Sequence, residues 1–500
     1  MKTKHNLFLR LFGFGTAAAI LAVSLFNIKL AVRAVDTTLQ EDGGLKQLVQ
    51  NVKDEYINGF RPKHAFIELN GLFARLTGRT VYNQVATLSN GMLINESVGD
   101  MDTDTAAQKL AEFADFTQNT GARFVYVQAP YKLDMQNELL PQGLNNLANA
   151  RADAMLENLS RLGVETLDLR PYICRDSDTL QQYFYKTDHH WNTAGGFLAF
   201  TKICQYLQIE TAACDFSNWS VQQYGNWFLG SHGKRVGSLY AGTDDLLVYT
   251  PNFKTDMSMY IVNHNRVKSG DFVSTVMDTS YLDKKDYYNH NSYCMYIGGD
   301  YQLVKHRNPD ASSNTRVLVL KDSFTLPVQA FLSTAVTELE VIDPRYYTGS
   351  SLAEYVAAGD FDVVIMLLNP WSMDGESYYD TGSRDAAVYQ TQTEYLVQEQ
   401  QSAAVKDQPY TLCQLQNGAM YRLNVRSVDT DSRGVVAAVC DQSGKIVSSH
   451  LFDKTYLQAA NGDDFGFVVP KQGSFTLCFL NSGEEDTLQS LQGITLYQNK

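Results

Sequence analysis

No two of the seven cysteines in this 500-residue chain stand in a CxxC spacing. That absence excludes the common zinc and dithiol motifs, and the odd count leaves at least one thiol free or intermolecular. Clusters of Lys and Arg are missing as well. The formal charge is −14, which argues against a nucleic-acid partner. Histidine is scarce, nine in all, and His5, His64, His232, His264, His290, His306 and His450 fall in no metal-ligand pattern. Neither a metal nor a cofactor is expected.

One long apolar run is present, 18 uncharged residues at 11–28, with Lys2, Lys4 and Arg10 ahead of it. It is at the short end of what spans a bilayer, and the basic flank keeps the amino terminus cytoplasmic. Residues 1–35 are therefore expected to be an uncleaved signal anchor, with the remainder exported.

From about residue 92 the hydrophobic pattern alternates between strand and helix. Strands are expected at 92–97, 122–130, 164–169, 316–320, 339–343 and 362–368. Helices are expected at 104–119, 144–162, 193–207, 325–333 and 351–358. Strands apolar on both faces and separated by helices predict an α/β domain, a parallel sheet flanked by helices, over residues 36–390. Residues 215–312, rich in Tyr, Asn, Gly and Asp, read as a β-rich insertion packed on the edge or top of that sheet. Residues 400–500 carry six or seven short strands with a hairpin signal at Asn417-Gly418, the pattern of a β-sandwich. Tyr410, Tyr421, Phe452, Tyr456 and Tyr497 could stack on sugar rings there, or simply fill its core.

In an open α/β sheet the chemistry gathers at the carboxyl ends of the strands. The strand "RVLVL" runs into "KDSF", placing Ser323 at a strand-to-helix turn beside the first amides of a helix. The segment "YKTDHHWN" at 185–192 supplies Asp188 and His190 in a loop before another helix. A serine needs an imidazole to take its proton, and the imidazole needs a carboxylate to fix its tautomer. Such residues also occur as ordinary hydrogen-bonded turns, so the residues alone leave both readings open.

The combination "TDHHWNTAGG" and "KDSF", in that order and with "APYK" at 129–132 and "GKRVGSLYAGTDD" at 233–245, resembles the bacterial DHHW family. That family is related to the alginate O-acetylation proteins of the AlgJ and AlgX type. The resemblance covers roughly residues 85 to 375 and implies an SGNH-hydrolase-like fold. It implies Asp188, His190 and Ser323 as a catalytic triad, with His189 facing away and Trp191 packed beneath the loop. Lys132, Arg345, Asn369 and Trp191 are the accompanying candidates for substrate contact. One departure bears on the oxyanion site, because Lys321 stands where ordinary SGNH enzymes place a glycine before Asp-Ser.

The function implied is an O-acetyltransferase acting on a cell-surface polysaccharide through an acyl-serine, with a membrane-bound O-acyltransferase as donor partner. An esterase using the same triad, and a carbohydrate-binding protein with an inert triad, are the alternatives.

Overall fold

The computed structural model describes residues 21, 25, 27–41, 44–59, 63–406, 408–481 and 488–499. The run 11–28 expected to be an anchor lies largely outside them. Among the described residues no helix is long and apolar enough to cross a membrane.

The chain divides into two units, one formed by Met1–Asn83 with Gly233–Gly242 and the other by the rest. In the first, the helix Lys63–Leu76 meets residues 236–240 closely. Gly71 makes this possible, since a Cβ there would lie 2.0 Å from the Val236 carbonyl oxygen. Glu68 accepts the Ser238 and Leu239 amides at 2.9 and 2.8 Å.

The second unit is built on an eight-stranded sheet. Its strands are β1 (Arg123–Gln128), β2 (Thr166–Asp168), β3 (Met257–Ile261), β4 (Arg266–Gly270), β5 (Leu303–Arg307), β6 (Ser313–Lys321), β7 (Val336–Ile342) and β8 (Val363–Leu368). Their order is β2-β1-β8-β6-β7-β5-β3-β4. The first five in that order pair in parallel. The last three join antiparallel at the β7 edge.

The sheet is therefore mixed rather than wholly parallel. Part of the segment read as an insertion on the edge or top of the sheet lies at its edge as sheet strands, because β3, β4 and β5 extend the hydrogen-bond ladder past β7. The strand at 93–95 stays out, pairing instead with Val85–Thr87.

Five helices cover this frame: α1 (Thr103–Asn119), α2 (Ala148–Arg161), α3 (Thr193–Leu207), α4 (Thr325–Leu332) and α5 (Leu352–Ala358). Their starts follow from capping. The Asp102 carboxylate accepts the Thr105 amide at 3.0 Å, Asn192 accepts that of Gly195 at 3.0 Å, and Ser351 with Glu354 forms a capping box. Residues of α1, α2 and α5 share one core with Phe124, Tyr126, Leu318, Leu320 and Val364 of the sheet. The alternate residues Val125, Val319 and Ile365 point to the other face. All three are buried, as the apolar runs require.

Helices α3 and α4 pack on each other through Phe197 and Phe200 against Phe331. Their approach is close because Gly196 has no side chain, and a Cβ there would meet the Pro327 ring at 2.6 Å. This contact sets the loop before α3 beside the turn before α4.

Residues 394–499 form two four-stranded antiparallel sheets, with a short helix at Lys454–Ala460. The first strand is Glu394–Val405. Tyr421, Phe452 and Tyr456, considered as sugar-stacking rings, are buried. Tyr421 and Phe452 lie in the core between the two sheets, where alternation points one side of each strand. The sandwich is joined to the α/β sheet by polar and apolar contacts. Arg307 of β5 lies 3.7 Å from Asp463, Tyr260 meets the Ser449 hydroxyl at 2.7 Å, and Tyr260 shares an apolar cluster with Val436, Ala438 and Leu451. All seven cysteines are unbridged.

Candidate active site

The strand β6 ends at Lys321, and the chain turns through Asp322, Ser323 and Phe324 into α4. The turn is pinned by the buried Asp322 carboxylate. It accepts the Phe324 amide at 2.9 Å on one oxygen, and on the other the Asn369 amide at 2.8 Å and the Asn369 side chain at 2.6 Å. Burial raises its pKa, and these amides oppose the rise. The Lys321 side chain turns away to Asp300 and Asp343. Among the described residues the Ser323 N–H has no hydrogen-bond partner, which leaves it available to a developing oxyanion.

The second half of the site is the loop 185–192. The Asp188 carboxylate accepts His190 Nδ1–H at 2.6 Å, and His190 Nε2 lies 2.8 Å from Ser323 Oγ. The other Asp188 oxygen accepts the Ser231 amide at 2.6 Å. Burial pushes the Asp188 pKa up, but His189, His190 and the Ser231 amide outweigh it and hold the carboxyl well below the usual range. The His190 ring stacks on Tyr293, with centroids 3.8 Å apart and planes 10° apart. The Tyr293 hydroxyl donates to the Ser323 carbonyl at 2.9 Å, tying the wall behind the imidazole to the serine turn.

The structure thus brings Asp188, His190 and Ser323 into one hydrogen-bonded chain at the carboxyl end of the sheet. His189 does not turn away. Its ring lies 3.7 Å from that of His190, and its Nδ1 pairs with the Ser231 hydroxyl at 2.7 Å. Asp188, His189 and His190 offer donor atoms within 4.8 Å of one another. A cation held there would have to displace His190 from Asp188 or from Ser323, since those atoms are already engaged.

The four candidates for substrate contact are mostly inside the protein's own network. The Trp191 indole is buried and donates to the Phe324 carbonyl at 2.9 Å. Asn369 is buried against Asp322. Lys132 is buried beneath the loop, donating to the carbonyls of Tyr185 at 3.2 Å, Lys186 at 3.1 Å and Asp188. Arg345 keeps some surface, but its guanidinium is forked onto Asp343 and reaches Asp300 at 3.5 Å. A buried cation takes every acceptor within reach, and sequence alone cannot show that the backbone supplies them.

Ser231, Tyr293, Asp244 and Gly230 were not legible as site residues. Asp244 accepts the Lys186 and Thr187 amides at 2.5 and 2.8 Å, fixing the loop from its far side. It falls in the segment "GKRVGSLYAGTDD", which was the available signal. At Gly230 a Cβ would lie 2.2 Å from the Asp188 Cβ and 2.4 Å from its Cα. Gly230→Ala should therefore push the loop away from α4, destabilising the protein by about 1–3 kcal/mol. Reaction of Ser323 with a sulfonyl fluoride should slow by about 100-fold. Thermal melts and labelling rates measure both, and a wild-type labelling rate would show that the loop position is not critical.

Residues 90–224 match a family model described as the SGNH hydrolase-like domain of acetyltransferase AlgX. No curated protein matches the chain. Among solved structures, PatB1 of Bacillus cereus carrying a sulfonyl adduct is 19% identical, with a TM-score of 0.49 over 59% of this chain and 98% of that one. A DHHW family protein from Eubacterium siraeum is 17% identical, with a TM-score of 0.46 over 61% and 96% of the two chains. AlgX of Pseudomonas aeruginosa is 11% identical, with a TM-score of 0.36 over 85% and 96%.

Proposed function

We propose, from the match of residues 90–224 to an acetyltransferase domain, that this chain is an O-acetyltransferase of an extracellular polysaccharide. The observation that carries the reading is the Asp188–His190–Ser323 chain, with contacts of 2.6 and 2.8 Å, at the carboxyl end of the sheet.

In this mechanism His190 Nε2 takes the proton of Ser323 as its Oγ attacks the carbonyl carbon of an acetyl donor. Asp188 holds the imidazole in the tautomer with the proton on Nδ1 and stabilises the imidazolium that forms. The Ser323 N–H donates to the oxyanion. The imidazolium returns its proton to the leaving group, and acetyl-Ser323 remains. A sugar hydroxyl then gives its proton to His190 and attacks the acetyl carbon, and collapse frees Ser323 with the acetyl group on the sugar. Water in the same place would make the enzyme an esterase.

The reading includes export, anchoring through 11–28, and a membrane-bound O-acyltransferase as the source of acetyl groups. It also includes a carbohydrate-facing role for the sandwich, for which the half-buried Tyr410 and Tyr497 remain as candidate rings.

The test is to incubate the protein with 4-nitrophenyl acetate and candidate oligosaccharides. Acetylated sugar should appear, and the ester should be consumed faster when acceptor is present. Formation of free acetate alone with every acceptor, or removal of acetyl groups from a polymer, replaces this reading with the esterase.

A further inference from the structure

We propose that Trp371 and Tyr346 are stacking platforms that seat a chain of pyranose rings across Ser323, an inference that rests on the transferase reading above. Of the four tryptophans, Trp191 and Trp219 are buried, Trp227 is half-buried, and Trp371 is 51% exposed. Tyr346 is 49% exposed. Phe216 is equally exposed, and single exposed aromatics are common on protein surfaces, so exposure alone does not single out these two.

Their positions are what carry the inference. The serine strand β6 lies between β7 and β8. Tyr346 sits four residues past the end of β7, and Trp371 three past the end of β8. The two residues thus follow the strands on either side of the serine strand, whose backbones lie roughly 10 Å apart. That span is wider than a single pyranose ring, so the ligand that fits it is an oligomer with its acceptor hydroxyl between the platforms.

The backbone carrying each residue is fixed, and the Tyr346 ring has a contact of its own. The Trp371 amide donates to Asn369 Oδ1 at 2.8 Å, and Asn369 donates to Asp322 at 2.6 Å. On the other side the Arg345 guanidinium lies 5.2 Å over the Tyr346 ring, and the Tyr346 amide donates to the Asp343 carbonyl at 3.1 Å. Arg345 is forked onto Asp343, which Lys321 approaches at 3.5 Å. Lys321 and Asp322, the two residues before the serine, each fix one rim. A platform pre-set in this way loses little entropy on binding, which favours a weakly polar ligand that offers bare C–H faces.

Binding is measured without turnover, by isothermal titration calorimetry of full-length Ser323→Ala protein with cellohexaose and chitohexaose, with tryptophan emission followed alongside. Saturable binding with an emission change is expected for at least one of them. Adding Trp371→Ala should abolish the emission change, and Trp371→Ala or Tyr346→Ala should each weaken binding about tenfold, as truncating an aromatic anchor does. Trp371→Phe should retain binding, which separates the loss of a ring face from misfolding. Wild-type affinity in Trp371→Ala overturns the proposal, and so does the absence of saturable binding to both oligosaccharides. Failure of the transferase reading shows up separately, in the ester assay of the Ser323 protein, as free acetate alone with every acceptor.

Discussion

Ser323→Ala and His190→Ala should each leave the fold intact and lower acetyl transfer by on the order of 10⁴-fold or more. Removing the Ser323 hydroxyl removes the proposed nucleophile and one end of a 2.8 Å contact, with no cavity in the core. Removing the His190 imidazole leaves Ser323 without a proton acceptor and exposes the face of Tyr293. The double variant should be no worse than either single one, because the two act as one unit.

Asp188→Asn should cost on the order of 10⁴-fold as well, by favouring the wrong tautomer of His190. Its carboxyl is held well below the usual range. A depressed carboxyl keeps its charge to a pH well below the ordinary value of 3.8, and the stability that charge brings is full above 3.8 and lost as the pH falls from there through the folded-state value. Asp188 therefore stays ionised across neutral and mildly acid pH, and Asp188→Asn should lower activity evenly over that range rather than move an acid limb.

His189→Ala is the discriminating control. His189 pairs with Ser231, not with Ser323, so the loss should stay below about tenfold. Initial rates with 4-nitrophenyl acetate and an oligosaccharide acceptor decide the matter. A dead His189→Ala with an active His190→Ala would reverse the assignment of the base.

Lys132→Met should have the largest effect on stability. The ammonium serves three carbonyls of the loop that carries Asp188 and His190, and it is buried. Methionine fills the stem's volume but leaves those carbonyls without a donor, a loss of about 1–3 kcal/mol for each one left unsatisfied. Turnover should fall by about 100-fold as the loop relaxes away from Ser323. Lys132→Arg should not rescue, since a planar fork cannot replace a compact ammonium among three converging carbonyls.

The pH dependence gives a second readout. Burial lowers the Lys132 pKa from 10.5 to about 7, against the pull of Asp244 and Asp188. Between those values the unfolded chain holds the proton and the folded chain has released it. Unfolding free energy therefore rises with pH across that window in the wild type. Denaturant melts from pH 7 to 10 should show a shallower rise in Lys132→Met. Equal slopes would mean that Lys132 keeps its proton in the folded protein over this range.

Much of this protein follows from local pattern. The α/β alternation was legible because each of β1, β6, β7 and β8 is an apolar run bounded by a turn, and each helix repeats its apolar residues at helical spacing. The sandwich was legible from short alternating strands and turn residues. Ser323, His190 and Asp188 stood out because a serine after a buried strand and an acidic residue two before a histidine are local features of recognisable chemistry.

Contacts across long sequence separations decided the rest. Strands β3, β4 and β5 carry too few residues of distinctive pattern to show that they join the sheet, and only pairing with β7 makes them antiparallel members of it. Lys132 looked like a substrate contact because an exposed and a buried lysine read alike in sequence. The backbone carbonyls it serves lie more than fifty residues away. The same holds for Ser231 on Asp188 and Tyr293 on His190, where the useful part is a backbone amide or a ring face, and residue identity does not encode either one. A motif can name the reacting atoms, but the groups that hold them 2.8 Å apart are set by the packing of α3 on α4 and by the loop that Gly230 lets approach.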